Sequence, residues 1–436
     1  MHIGHARGAV FGDSLASILE EVGYEVNREY YINDAGEQIN KLERTISFYL
    51  EQENNKKKKE LPDDLYPGNY LKGISKNISK TNNEYLKNNK EFKDKIVEII
   101  MKDIKKDLKK LKINHDSYIS EKMIATKDRV ERLKKRLIDL NIAYYGYQEK
   151  PKNVDANKWE KKKHFLFSSK KFGDDSDRAL IKTNNELTYF MSDIIYHQEK
   201  LEKKYDLLIN IWGVDHFGYV KRLKSAIYAI NSSKKFDFEI KLTSLVNLMK
   251  NNEKIKMSKR SGNYVTMRDV MNEVGTDVLR FMMISRNCDK KIDFDFEIFL
   301  QKNKDNPVFY VQYAYARCRS ILKTSGYDLD KKKLKDLDLS YLILDDEKLL
   351  IKNLCNFYSV IKNAALFLEP HRITNYLYDL SKIFHSYWGL GNQNKTMRII
   401  VDDKNITLSR LVLVKTVSDI IKKSLKILKI NCPESM

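Results

Sequence analysis

The first eight residues hold the side chains with the most evident chemical use. They read MHIGHARG and lead at once into an apolar periodic run, a pattern that predicts a loop turning into a helix. The first amides of a helix lack internal partners and its dipole favours negative charge, so phosphates bind at such ends. His2 and His5 could donate hydrogen bonds to a nucleotide, and Gly4 would allow its close approach. A His-Gly-His element near an N-terminus also arises by chance or as a tag remnant.

A second candidate is a cationic segment far downstream. It reads KIKMSKRSGN over residues 254–263 and places Lys256 and Lys259 around Met257 and Ser258. A loop of this kind could close over a polyphosphate while charge builds on the leaving group. In a chain with so many lysines, a solvated basic turn is the simpler interpretation of this segment taken alone.

Together, the two elements resemble the paired His-Ile-Gly-His and Lys-Met-Ser-Lys signature of class I aminoacyl-tRNA synthetases. The surrounding sequence narrows the resemblance to arginyl-tRNA synthetases of bacterial type, through residues 5–13, 28–36, 256–283 and 306–314. The resemblance extends from residue 1 to the C-terminus. Members of this family carry a further N-terminal domain and a first Rossmann strand before the His-Ile-Gly-His element, and we expect this chain to lack both.

The resemblance implies roles for the residues of both motifs. It assigns ATP binding to His2, Gly4, His5, Lys256, Met257, Ser258 and Lys259. Among these, His2 and His5 would lie against the reacting groups, and Lys256 and Lys259 would act on the pyrophosphate as catalytic residues. ATP would be a substrate accompanied by Mg²⁺, without a dedicated protein metal site and without a tightly bound cofactor.

Arginine recognition is also implied by the resemblance. Binding a guanidinium in bidentate fashion requires a fixed carboxylate. Tyr189 and Asp193 match the family's tyrosine and aspartate that contact arginine, and their spacing of four places them on one helical face or turn. His5 is expected beside the same substrate, and His216 falls near another arginine-contacting position. From the residues alone, a loop histidine with a local hydrogen bond is the preferred interpretation of His216.

The composition supports a polyanionic partner without proving one. Eighty Lys and Arg residues against sixty Asp and Glu give a net charge of +20 and a pI near 9.3. Such a surplus favours tRNA binding through phosphate neutralisation, whereas a general lysine bias would produce the same number. The four cysteines show no spacing typical of zinc sites or disulfide frameworks. Without a long apolar stretch or a signal peptide, we expect a cytoplasmic protein with no membrane partner, acting as a monomer.

The elements that would position these residues begin with a helix over 6–22 and a strand over 25–32. The Asn33-Asp34-Ala35-Gly36 loop follows, at the strand end where open α/β sheets bind ligands. Apolar periodicity predicts helices over 91–112 and 127–140, inside a mainly helical insertion spanning about 37–165. The sheet is expected to resume at 187–190 and 205–213, and the second of these runs is apolar enough for a central strand.

The remaining third of the chain is helical by periodicity. Helices are predicted over 276–285, 307–323, 345–368, 373–389 and 408–429. The predicted fold is therefore α/β, with a Rossmann-like catalytic domain over 1–300 and an all-α anticodon-binding bundle over 301–436. Rings in the bundle could stack on unpaired bases or fill its core. These rings belong to Tyr310, Tyr313, Tyr315, Tyr376, Tyr378, Tyr387 and Trp388.

Three functions are compatible with the sequence. The leading one is an arginine–tRNA ligase, which activates L-arginine with ATP and transfers it to tRNA(Arg). A catalytically inactive fragment or paralogue that still binds tRNA is the second. A nucleotidyltransferase of the same superfamily with another acceptor is the third, disfavoured because such enzymes seldom need an anticodon-binding bundle.

Overall fold

The computed structural model of the chain describes residues 1–55, 60–66, 68–79, 89–148, 162–232, 235–250, 253–254, 265–329 and 338–436. The helices are α1 (Ile3–Glu21), α2 (Glu37–Asn55), α3 (Asn69–Ser79), α4 (Asn89–Lys110), α5 (Glu121–Ile124), α6 (Lys127–Asp139), α7 (Tyr189–Glu202), α8 (Phe217–Ile230), α9 (Met267–Val274), α10 (Thr276–Met283), α11 (Phe296–Leu300), α12 (Pro307–Thr324), α13 (Asp345–Cys355), α14 (Phe357–Leu366), α15 (His371–Gln393) and α16 (Lys404–Ile427). Short 3₁₀ turns cover Ser169–Phe172, Val214–His216 and Lys395–Met397. Within these described residues, no helix has both the length and the apolar character of a membrane span.

The strands form small sheets. They are β1 (Glu29–Ile32), β2 (Ser117–Ser120), β3 (Ala143–Tyr147), β4 (Lys163–Phe167), β5 (Arg178–Ile181), β6 (Leu207–Gly213), β7 (Asp237–Thr243), β8 (Val246–Lys250), β9 (Glu253–Lys254) and β10 (Ile292–Asp295). β1 runs parallel to β2 and β10 parallel to β8, while β3, β4 and β5 form an antiparallel sheet. β6 lies beside β7.

The chain divides into two compact units. The first unit comprises Met1–Arg28, Asp103–Asn114 and Thr243–Met436, and the second comprises Glu29–Lys102 and His115–Leu242. The core of the second unit is built from apolar residues of α6, α7, β4, β6 and α8, with a smaller cluster shared by α2, α3 and the start of α4. α7 is therefore held by packing along most of its length.

In the first unit, buried charges fasten the helices to one another. Arg280 of α10 is fully buried and donates to Asp13 Oδ2 of α1 at 2.7 Å and to the carbonyl oxygens of Leu111 and Leu428. Lys429 donates to Asp13 Oδ1 at 2.6 Å. Because both oxygens of this buried carboxylate are paired, α1 is tied to α10 and to the end of α16.

The predicted helices and central strand are largely confirmed, with three corrections. The strand expected over 187–190 is wrong, because Tyr189 begins α7 and Leu187 forms only an isolated bridge to Ile181. Thr188 caps that helix, and the apolar residues after it recur at helical spacing. The helix expected over 345–368 is interrupted at Asn356, whose amide bonds the carbonyl of Asn353 in a tighter turn. The strand expected over 25–32 begins only at residue 29.

Candidate active site

The His-Ile-Gly-His element of the first unit forms the N-terminus of α1. His2 is the N-cap residue, and its Nδ1 accepts the Gly4 amide at 3.1 Å, while His5 Nδ1 accepts the His2 amide at 3.2 Å. The two rings stack with centroids 3.6 Å apart. Since each Nδ1 is an acceptor, each neutral ring carries its proton on Nε2 and can donate from there. Both histidines are exposed, so the end of α1 offers two ring donors together with helix amides.

Gly4 is required by the position of the His2 ring. A Cβ placed on residue 4 would lie 3.0 Å from His2 Cε1 and 3.1 Å from its Nδ1. Any larger residue would therefore push the capping ring away. The opening residues also pair with the strand-like stretch before α9, through a bridge between His2 and Thr266 and a hydrogen bond from the Met267 amide to the Met1 carbonyl at 3.0 Å.

Arg7, one turn into α1, is a buried structural residue that sequence reasoning did not single out. Its side chain donates to the carbonyl oxygens of Ser244 at 2.8 Å and Asn287 at 3.0 Å. Burial lowers the pKa of its guanidinium to about 10. The arginine thus fixes α1 against the segments that flank β8 and β10. Lys256, Met257, Ser258 and Lys259, the other predicted ATP-binding residues, lie outside the described residues.

The predicted arginine-binding residues Tyr189, Asp193 and His216 belong to the second unit, unlike His5. Tyr189 is the first residue of α7 and is half exposed. Its hydroxyl lies over the loop after β1, where Gly36 has φ +79°. A Cβ on Gly36 would come within 2.8 Å of that hydroxyl oxygen. Only glycine satisfies both the backbone angle and the approach of the ring.

Asp193 lies one turn further along α7 and is partly buried. The Tyr219 hydroxyl donates to its Oδ2 at 2.6 Å. Burial raises the pKa of Asp193 to about 6, while the Tyr219 hydrogen bond and the charges of His216 and Lys200 oppose the shift. Among the described residues no hydrogen bond to Oδ1 is found, so this oxygen can accept one from a ligand.

His216 ends the 3₁₀ turn after β6, and its ring is tilted by 48° against that of Trp212 with the centroids 5.6 Å apart. More than half of its side chain is exposed, and its Nε2 lies 3.6 Å from the carboxylate of Asp215. Its charge lowers the pKa of Asp193, which places it within electrostatic reach of that carboxylate. The structure therefore places three of the predicted arginine-binding residues in the second unit, with Asp193 in reach of His216.

The structure adds two carboxylates to these residues: Asp34, in the loop expected at the ligand-binding end of β1, and Glu121, which sequence reasoning missed. Glu121, the first residue of α5, is only 4 % exposed, and its Oε2 has no hydrogen-bond partner among the described residues. Burial, followed by the charges of Asp193 and Asp34, raises the pKa of Glu121 to about 7. Asp34 accepts the Ser120 hydroxyl at 2.6 Å and the Lys122 amide at 3.1 Å. We call Asp34, Glu121 and Asp193 the carboxylate cluster.

Tyr31 of β1 lies against the carboxylate cluster. Its pKa is raised well above the ordinary value by burial, by the charges of all three carboxylates and by a hydrogen bond to Glu121. An uncharged hydroxyl therefore faces three carboxyl groups, and the charges of Asp193 and Asp34 raise the pKa of the third, Glu121. Such an arrangement suits a cationic ligand, because a guanidinium would relieve the repulsion between the carboxylates.

The aromatic residues of the helical bundle divide into two groups. Tyr315, Tyr376 and Tyr387 are buried in its core. Arg317 instead lies at the surface between rings of α12 and α15, with its guanidinium carbon 3.7 Å from the Trp388 ring centre and 4.4 Å from that of Tyr313. It donates to the Tyr313 hydroxyl at 2.7 Å. The core interpretation thus holds for Tyr315, Tyr376 and Tyr387, and stacking on bases stays a prediction for the other rings.

Comparisons with known proteins agree with this architecture. Residues 188–295 match the family of class I tRNA synthetases (I, L, M and V), and residues 311–436 match the DALR anticodon binding domain family. The chain is 43 % identical over 441 residues to an arginine–tRNA ligase of Wolbachia pipientis wMel, covering 100 % of this chain and 76 % of that relative. It is 39 % identical over 443 residues to one of Pelagibacter ubique, with the same coverage.

Solved structures give the same result. A protein of Campylobacter jejuni that carries a provisional arginyl-tRNA synthetase name matches with a TM-score of 0.84 and 31 % identity, covering 100 % of this chain and 91 % of that one. An arginyl-tRNA synthetase of Thermus thermophilus shares the fold, with a TM-score of 0.71 at 19 % identity and coverage of 100 % and 80 %. A Rossmann-like class I catalytic region followed by a helical anticodon-binding bundle is thereby confirmed. The chain belongs to the arginyl-tRNA synthetases, a family of aminoacyl-tRNA ligases.

Proposed function

We propose that this chain activates L-arginine with ATP and transfers the arginyl group to tRNA(Arg). The observation that carries the proposal is the carboxylate cluster, in which the pKa values of Glu121 and Asp193 are raised and, among the described residues, Glu121 Oε2 and Asp193 Oδ1 have no hydrogen-bond partner. A buried excess of negative charge is costly unless a cation binds to it. The guanidinium of arginine has the planar shape and the number of donors that two carboxylates can use together.

In this proposal Asp193 and Glu121 bind the two sides of the guanidinium, and the Tyr189 hydroxyl oxygen accepts a hydrogen bond at its edge. His216 and His5 are assigned to arginine by the family resemblance. Lysine would be a poor substitute substrate, because its ammonium cannot form paired hydrogen bonds with two carboxylates in one plane.

ATP is proposed to bind at the exposed N-terminus of α1, where Gly4 and the Nε2 donors of His2 and His5 meet the helix dipole. Lys256, Met257, Ser258 and Lys259 would close on the pyrophosphate, with Lys256 and Lys259 as the catalytic cations. Mg²⁺ would enter as part of the nucleotide substrate.

The reaction needs no protein nucleophile. The arginine carboxylate attacks the α-phosphorus of ATP, forming arginyl-adenylate as the bond to pyrophosphate breaks. A terminal ribose hydroxyl of tRNA then attacks the acyl carbon, and AMP leaves. Positioning and charge stabilisation supply the rate enhancement.

The division of labour follows the predicted domains. Residues 1–300 would carry the chemistry, with the insertion over about 37–165, and residues 301–436 would bind the anticodon arm. The surface rings beside Arg317, which include Tyr313 and Trp388, are suited to stacking on unpaired bases. We propose a cytoplasmic monomer.

The test is aminoacylation of tRNA with radiolabelled arginine by the purified chain, alongside tRNA binding by filter retention. Charging of tRNA(Arg), with AMP and pyrophosphate as products, is the expected result. Binding of tRNA without charging or arginine-dependent AMP formation would instead favour the inactive tRNA-binding protein. Transfer to a different acceptor would favour the nucleotidyltransferase.

A further inference from the structure

A line of polar side chains runs behind Asp193 in the second unit. Lys200 Nζ lies 3.3 Å from Asn210 Oδ1, Asn210 Nδ2 lies 2.8 Å from His197 Nε2, and His197 Nδ1 lies 2.7 Å from the Asp193 carbonyl oxygen. Asp193, His197 and Lys200 are spaced four and three apart, so they share one face of α7. Asn210 is supplied by the middle of β6. We call the side chains of Lys200, Asn210 and His197 the Lys200 relay.

The hydrogen bonds of the Lys200 relay can point in one direction only. An ammonium group has donors and no acceptor, so Asn210 must turn its oxygen toward Lys200 and its amide group toward His197. His197 must then accept at Nε2 and carry its proton on Nδ1, which donates to the Asp193 carbonyl. The Asp193 carbonyl oxygen can only accept and requires the same tautomer, so Lys200 and this carbonyl, at opposite ends of the relay, fix the Asn210 amide and the His197 ring in one orientation.

His197 is held neutral in this arrangement. It is 1 % exposed, and burial lowers its pKa to about 3, with the charge of Lys200 acting in the same sense. A protonated ring would direct an N–H against the Asn210 amide and bring a second cation toward the arginine site. Asn210 is 7 % exposed. Burying these polar groups costs more free energy than filling the same space with apolar side chains. Polar groups that are buried despite this cost point to a role beyond packing.

Lys200 itself lies over the Tyr196 ring, with Nζ 4.0 Å from the ring centre. The nearby carboxylate of Glu29 is already engaged by the Tyr196 hydroxyl at 3.0 Å and by Lys203 at 2.5 Å. The charge of Lys200 also acts on Asp193, where it favours the ionised carboxylate. Among the described residues, Lys200 is thus a cation aligned with Asp193 and not committed to a salt bridge of its own.

We propose that Lys200 is a positioning residue for arginine recognition: through Asn210 and His197 it fixes the turn of α7 that presents Asp193, and it places a positive charge behind that carboxylate. This inference rests on the proposed function, since arginine is the ligand that Asp193 would bind. Tyr219 holds the Asp193 side chain and the Lys200 relay holds its backbone, so the carboxylate is fixed from two directions.

The first test compares Lys200→Met with Lys203→Met in steady-state aminoacylation. Methionine keeps the length of Lys200 and removes its charge and donors, whereas Lys203 is more exposed and meets Glu29 alone. For Lys200→Met we expect the KM for arginine to rise several-fold, and more below about pH 6 than at neutral pH, because Asp193 without this charge takes up a proton more readily. The KM for ATP should not change, and the acidic limb of the pH profile should move to higher pH. Lys203→Met should leave the limb in place.

A second measurement reads the relay without arginine. Selective ¹⁵N labelling of histidine distinguishes the two neutral tautomers by their ring nitrogen shifts, and we expect His197 to be protonated at Nδ1 in the wild type. The Asp193 carbonyl keeps this tautomer in every variant, so the informative signal is the Nε2 shift, which reports whether Asn210 still donates to that nitrogen. In Lys200→Met the Asn210 amide is free to turn, so the Nε2 shift should move toward that of a ring nitrogen without a hydrogen bond, and Lys200→Arg should restore it. Asn210→Asp places a carboxylate against Nε2, so His197 should carry protons on both nitrogens and the KM for arginine should rise.

These outcomes separate the two proposals. A wild-type chain that neither binds nor charges arginine would overturn the proposed function, while the ring-nitrogen measurement would still report on the Lys200 relay. An unchanged Nε2 shift in Lys200→Met, or an equal rise in KM for arginine and ATP in a folded variant, would overturn the inference about Lys200.

Discussion

The two candidate binding regions are built in opposite ways. At the N-terminus of α1, His2, Gly4 and His5 come from one continuous run, stay exposed and satisfy one another through local hydrogen bonds. The carboxylate cluster draws its members from three separate segments, and Glu121 in it is nearly inaccessible. In our proposal the first region binds ATP through the geometry of its backbone, and the second binds arginine through charges that are buried away from water. Removing a single group should therefore reduce the binding free energy far more in the second region.

The largest expected effect is that of Asp193→Asn. Removing one charge from a desolvated ion pair with the guanidinium leaves its partner unpaired, so kcat/KM for arginine should fall by about 10²–10³-fold. Glu239→Gln, an exposed pair with Lys224 in the same unit, is the control and should have little effect. A fall of less than threefold in Asp193→Asn would show that the guanidinium binds elsewhere.

The second effect concerns pH. Glu121 and Asp193 have pKa values raised to about 7 and about 6, and arginine binds their ionised forms. Lowering the pH from about 8 to about 6 should raise the KM for arginine, approaching tenfold per pH unit for each proton taken up. Calorimetry in buffers of different ionisation enthalpy should show proton release on binding. Glu121→Gln should flatten this dependence.

The same pKa shifts set the pH dependence of stability. Between the ordinary carboxyl pKa and about pH 7, the folded, ligand-free chain binds more protons at Glu121 and Asp193 than the unfolded chain does. The contribution of these groups to the free energy of unfolding therefore falls as the pH rises through this window. Saturating arginine should reverse that trend in thermal melts, and parallel melting curves with and without arginine would contradict it.

The third effect is that of Gly36→Ala. The positive φ and the Tyr189 hydroxyl both oppose a Cβ at this position, so the loop or the ring must shift. Strain of roughly 1–2 kcal/mol should appear in the free energy of unfolding, and the KM for arginine should rise several-fold. Adding Tyr189→Phe removes the hydroxyl clash alone. If the double variant recovers neither the free energy of unfolding nor the KM for arginine, the backbone angle accounts for the whole effect.

The smallest effect is expected for Gly4→Ala, which displaces the exposed His2 ring without burying charge. The KM for ATP should rise a few-fold, about 0.5–1 kcal/mol, as for a weakened helix cap. Gly389→Ala, inside α15 with open space around it, should leave the KM unchanged and stabilise the helix slightly. A large rise in the KM for ATP in Gly4→Ala would indicate that the α1 terminus is as sensitive to the change of one group as the carboxylate cluster.

The difference between the two regions also explains what the sequence could predict. His2, Gly4 and His5 are adjacent in sequence, so their pattern alone suggested a phosphate site. Tyr189 and Asp193 were found only through the family resemblance, because nothing local separates Asp193 from the other acidic residues. Glu121 was missed because β2, the strand before it, lies in a region that was predicted to be mainly helical. In the structure β1 and β2 are parallel, so their carboxyl ends, which precede Asp34 and Glu121, meet at one edge.

The fold followed from apolar periodicity where elements were long, as in α12, α15 and α16. It failed where a cap decided the outcome, as at Thr188, whose hydroxyl accepts the Met191 amide and turns a β-prone run into a helix start. The Lys200 relay was equally invisible, since a lysine, an asparagine and a histidine on two elements become related only once α7 packs on β6.

The ion pair between Asp13 and Lys429 spans a sequence separation of 416 residues. Asp13 also lies 3.9 Å from Arg28, which is made soon after it, whereas Arg280 and Lys429 follow 267 and 416 residues later. The second unit is complete in sequence by Leu242, so it can acquire its structure before Asp13 meets these two hydrogen-bonding partners. We therefore expect the pairing of α1 with α10 and Lys429 to be a late step in the folding of the first unit.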